Sequence, residues 1–146
     1  MRTLGPKSAD PMASHAGREM LDHVARFGFG VVDACFQAGL REHEDGNYGI
    51  MELERNAPAL IVLAVAHGGD VPGRDAVLAG LDEGMLARLR GQTYLVDQGR
   101  KVAAAMLAEI DRGLLSELGS PADIFAPYRA TIAAISAVLD RVKVAE

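Results

Sequence analysis

Ten consecutive apolar residues, Ala57-Pro-Ala-Leu-Ile-Val-Leu-Ala-Val-Ala66, constrain this chain more than any other feature. The run falls short of the roughly 18 residues that a bilayer-spanning helix requires, so the rest of the chain has to cover it. Strong breakers, His67-Gly-Gly-Asp-Val-Pro-Gly73, close it. Periodicity does not separate a buried strand from a buried helix over so short a run. From Gly49 onward the stretch reads either as two short helices broken near Asn56 and Pro58, or as a hairpin at about 48–66 turning at Arg55-Asn-Ala-Pro58. Ala and Leu dominate it, and no other segment offers a convincing partner strand, which favours the helices.

Around this run the pattern is helical. Asp10-Pro11 supplies a cap and a first-turn proline for a long helix, with Ser14 as an alternative cap. Leu21, Val24, Gly28, Val31 and Cys35 recur at three or four residues and define one face. Phe27, Phe29, Val32, Phe36 and Leu40 widen that face until little remains for water, the pattern of a central helix or one shared with a second subunit. Gly28 and Gly30 weaken the helix by about 0.5–1 kcal/mol each relative to Ala, which points to close backbone approach or a local break. Further helices are expected at 74–81, 82–90 and 93–118, the last with a seam of Met106, Ile110, Leu114 and Leu118. Gly119-Ser-Pro-Ala-Asp123 carries stop and start signals. A final seam runs through Tyr128, Ile132, Ile135, Leu139 and Val142. The expected architecture is an all-α bundle of four to six helices occupying 11–146 as one domain behind a loose tail at 1–10, with an α+β arrangement containing the hairpin as the alternative.

Composition narrows the function. Of 146 residues 49% are hydrophobic and 24% charged, the balance of a globular chain, and the formal charge of -5 argues against a nucleic-acid partner. Cys35 is the one cysteine, so nothing calls for an oxidising compartment, and no secretory signal is recognisable. A cytoplasmic protein with no membrane partner is expected. Arg outnumbers Lys by 12 to 3, and Ala is abundant, as in proteins from GC-rich bacterial genomes.

Candidate chemistry is sparse. His67 follows the apolar run, where a helix C-terminus favours its charged form, and Asp70 is close enough in sequence to orient it. With Gly28 and Gly30, these residues are the expected lining of a ligand pocket between the long helices. His15, Glu19 and His23 form an i, i+4, i+8 stripe that geometry would allow to hold a metal, but it lies opposite the apolar seam and reads as a solvated face. Glu42-His-Glu-Asp-Gly-Asn-Tyr-Gly49 reads as an exposed acidic loop without the register of a calcium loop. Cys35 reads as a core residue. No metal, cofactor or catalytic pattern is evident.

Arg18 and His23 match the Arg, four to six residues, His spacing of the helical RNases called HEPN domains. With 12 Arg and 4 His, chance supplies roughly one such spacing, and Glu19 after the Arg and the position in the first helix depart from that family. The expected function is therefore a non-catalytic interaction or regulatory protein, such as an adaptor, an immunity-type inhibitor or a regulatory subunit, that forms a homodimer. A small-ligand or metal sensor is the alternative, and a HEPN-like RNase the second.

Overall fold

In the computed structural model, which describes residues 10–112 and 126–142, the apolar run becomes the inner half of one helix, α3 (Ile50–Ala66). Every residue from Asn56 to Ala66 is buried. A helix apolar on all sides needs neighbours on all sides. Here α3 contacts α1 (His15–Phe27), α2 (Gly30–Glu44), α4 (Arg74–Gly80), α5 (Glu83–Gly91), α6 (Thr93–Asp111) and α7 (Ala126–Arg141). Among the described residues these seven helices are joined by one 3-10 turn, Pro11–Ala13, and by no strand. The fold is an all-α helical bundle.

The hairpin at 48–66 is therefore corrected, as is the break near Asn56 and Pro58. Pro58 sits inside α3 and removes one backbone bond, that to Glu54, an exposed residue. An interior proline costs about 3 kcal/mol. Burying one Leu, Ile or Val side chain contributes about 1.5–3 kcal/mol, and Leu60, Ile61, Val62 and Leu63 are all fully buried. Burial decides the outcome, and a helix can be enclosed on every side because it satisfies its own backbone.

Both caps expected at the N-terminal end are used in succession. The Asp10 carboxylate accepts from Met12 N–H at 3.0 Å, and Ser14 Oγ accepts from Gly17 N–H at 3.0 Å. The single long helix expected beyond them is split in two. Gly28 adopts φ of +85°, a left-handed conformation that suits glycine and ends α1. This accounts for a helix count above four to six. The break also resets the helical phase, so α2 buries Val32, Phe36 and Gly39 while Val31 and Cys35 are only half-buried. Phe36 is enclosed, Phe29 is half-buried, and Phe27 stands 70% exposed.

Helices α2 and α3 meet at Gly39. A Cβ placed there would lie 2.0 Å from Asn56 Oδ1, so the close approach requires glycine. At the far side α6 packs along α7, whose face buries Ile132, Ile135 and Leu139 as the seam predicts. The Arg100 guanidinium closes that pair, donating to Leu139 O at 3.1 and 2.7 Å and to Val142 O at 2.8 Å. The tail expected at 1–10, apart from Asp10, and the expected extension of α6 to Leu118 with the signals at 119–123 lie outside the described residues. No described helix is long and apolar enough to cross a membrane.

Candidate functional site

A groove of about 520 Å³ opens between α1, α2 and the start of α3. Its lining is apolar and small-residued, formed by Ala16, Met20, Val31, Ala34, Cys35, Ala38 and Gly39. Charged and polar side chains also line it: His15, Glu19 and His23 from α1, and Glu52, Glu54 and Arg55 from α3. The histidine stripe is exposed, as its phase implies, with His15 Nε2 3.5 Å from Glu19 and the His23 ring 6.0 Å from that of Phe27. Periodicity within α1 does not reveal that α2 and α3 supply the rest of the groove. Cys35 sits in this lining half-buried, and burial pushes its thiol pKa up while nearby Arg55 opposes the rise. Among the described residues no group of three or more His, Cys, Asp or Glu could hold a metal ion.

A second constellation ties α2, α3 and α6 together. Glu109 is 1% exposed on the inner face of α6, and Oε2 lies 2.6 Å from Nδ1 of His43. Arg112 donates to Oε1 of the same carboxylate. A carboxylate so far from water is tolerable only when its oxygens are paired, and here both are. The His43 ring meets Tyr48 edge to face at 6.4 Å. Tyr48 donates to Asn56 Oδ1 at 3.0 Å, and Asn56 Nδ2 donates to Cys35 O at 2.7 Å. Burial first, and then the charges of Glu52 and Glu109, push the Tyr48 hydroxyl far above its ordinary pKa, so it remains a donor.

From sequence alone His43 belongs to an exposed acidic loop and Glu109 does not stand out. One signal is present: Glu109 falls on the apolar seam of α6 between Met106 and Ile110, a position that a carboxylate occupies only with partners.

The four residues expected to line one ligand pocket divide between two. His67 caps the C-terminus of α3 and lines a surface cavity of about 430 Å³ with Gly68, Gly69, Asp70, Val138, Arg141 and Val142. Gly28 and Gly30 line a different one, of about 260 Å³, with Val24, Phe27, Phe29, Met85, Arg88 and Leu89. No hydrogen bond joins Asp70 to His67, and the His67 Nε2 atom is buried without a partner. The expected charged state is also corrected. Burial, and secondarily the Arg90 guanidinium, which donates to Ala66 O at 2.9 Å, lower the His67 pKa and favour the neutral ring. Arg18 donates to Ala13 O at 2.8 Å, and His23 stands exposed farther along α1.

Comparison with known proteins adds little. No protein-family model matches the chain, and no solved structure matches it. Over 103 residues it is 33% identical to a 2,3-bisphosphoglycerate-independent phosphoglycerate mutase from Synechococcus sp. (strain JA-2-3B'a(2-13)), a match covering 63% of this chain. The same match covers 19% of that curated protein, so the likeness reaches a minor part of its length.

Proposed function

We propose that this chain is a non-catalytic regulatory or interaction protein that takes the apolar face of a partner helix into the groove between α1, α2 and α3. The observation that carries the reading is the lining itself. Ala34 and Ala38 are exposed and Gly39 lies beside them, which lets a second backbone approach closely, and Met51 stands exposed beside the groove. Glu19, Glu52 and Glu54 give this surface an acidic bias against Arg55, which suits a partner helix with basic flanks. The chain acts in the cytoplasm of a bacterium as a homodimer. Its self-association uses the other apolar feature, exposed Phe27 beside the cavity of Val24, Phe29, Met85 and Leu89, since a two-fold contact lets each Phe27 enter its twin's cavity.

A photoreactive residue at position 38 tests the groove, with the exposed position 104 of α6 as control. Crosslinking to one protein species at 38 and not at 104, abolished by Ala34→Trp, is the expected result. Crosslinking at neither position would refute the partner helix. The groove volume also lies within the range of small-molecule pockets, which supports a small-ligand sensor as a second reading. Native mass spectrometry separates the two: a small adduct lost in Ala34→Trp, without a protein crosslink, would favour the sensor.

A further inference from the structure

We propose that His43 accepts a phosphoryl group on Nε2 from a small acyl phosphate, with Glu109 as its positioning residue. Glu109 is buried and its carboxylate is held by Arg112, so it is an acceptor toward the ring. The proton in the 2.6 Å contact then belongs to Nδ1, and in the tautomer this selects the ring lone pair lies on Nε2. That atom makes no hydrogen bond and is not among the atoms sealed from solvent. The His43 side chain as a whole is 36% exposed.

Beside it opens a cavity of about 380 Å³ whose lining includes Arg41, Lys101, Gln37 and Gln98. Arg41 has no carboxylate partner among the described residues, while Lys101 lies 3.5 Å from Asp97. Gln37 donates to Gln98 Oε1 at 3.0 Å, which keeps both amides at the cavity. Glu44 lines the same cavity, and Arg41 is the cation there that no carboxylate of the described residues pairs. These groups suit a dianion with three acceptor oxygens.

In the step, the Nε2 lone pair forms the N–P bond as the P–O bond to the acyl carboxylate breaks. The carboxylate leaves with the electron pair, the ring becomes an imidazolium, and its Nδ1–H keeps donating to Glu109, whose charge stabilises the cation. Nothing is oxidised or reduced.

The test treats the full chain with acetyl phosphate and follows intact mass, with ¹H–¹⁵N spectra to locate the modified nitrogen. The expected product carries one phosphoryl group, is acid-labile and alkali-stable, and is absent in His43→Gln. Glu109→Gln is expected to fold, to slow labelling by about tenfold or more, and to lose the Nδ1–H tautomer preference in the ¹⁵N shifts. Arg41→Gln is expected to slow labelling with the tautomer unchanged, which keeps the idea testable should Glu109→Gln unfold. His15→Gln and His23→Gln are expected to label like the parent chain. No label, or label that persists in His43→Gln, would overturn the proposal, and an unchanged rate in Glu109→Gln would remove the role given to Glu109.

Discussion

Replacing Gly39 with Ala tests how α2 and α3 are held together. The added methyl would lie 2.0 Å from Asn56 Oδ1, 2.8 Å from Cγ and 3.0 Å from Nδ2, so the amide must leave its place. Asn56 is buried and bonded at both ends, to the Tyr48 hydroxyl and to Cys35 O. Losing two such bonds costs about 1 kcal/mol each. Overpacking adds about 1–3 kcal/mol. Better helix propensity returns about 1 kcal/mol. The net expectation is a destabilisation of about 2–4 kcal/mol, or a fall in Tm of roughly 6–16 °C for a chain of this length. Urea unfolding followed by circular dichroism measures it, with Asn56→Ala and the double variant completing a cycle. The double variant should be more stable than the sum of the single losses implies, because the methyl then finds space where the amide stood. Full stability in Gly39→Ala, or strict additivity in the cycle, would refute the steric reasoning.

Phe36→Ala should cost about 3–5 kcal/mol, because the ring is fully enclosed, and a loss below 1 kcal/mol in urea titrations would contradict that placement. Arg100→Ala should speed amide hydrogen exchange at the C-terminal end of α7, where Leu139 O and Val142 O lose their donor, while exchange in α4 stays unchanged. For His67 the folded pKa lies below the unfolded value of about 6.5, so below that pH the unfolded chain binds more protons and stability falls as pH drops toward the folded pKa. His67→Gln should therefore flatten the acid limb of urea midpoints between about pH 7 and 5, and parallel limbs would show that another group is responsible. Phe27→Ser should leave stability within about 0.5 kcal/mol while shifting sedimentation from dimer to monomer. A parent chain that is monomeric at micromolar concentration would remove the proposed dimer.

The helical class is readable because α1, α6 and α7 carry local signals, a cap at Ser14 and seams at three- and four-residue spacing. Continuity of α3 is not readable. Pro58 is a local breaker, and what overrides it is burial supplied by distant helices, which a window of neighbouring residues does not contain. The split at Gly28 is half visible: two glycines flag a break, but the resulting change of phase in α2 depends on the left-handed turn. His67 does stand at the end of the apolar run, yet its charge state escapes the sequence because burial of the ring in the folded chain, and secondarily Arg90 from another helix, set it. The pairing of His43 with Glu109 spans 66 positions, and only the misplaced carboxylate on the α6 seam hints at it.

A hub built like α3 makes tolerance to change a matter of address. Its inner half borders nearly every other helix, so a lost methylene there loosens several joints together, and melting should run as one event rather than helix by helix. Helices α1, α2, α4 and α5 lean mainly on the axle while α6 and α7 lean first on each other, and the outward faces of this coat can acquire new recognition chemistry without disturbing the spindle.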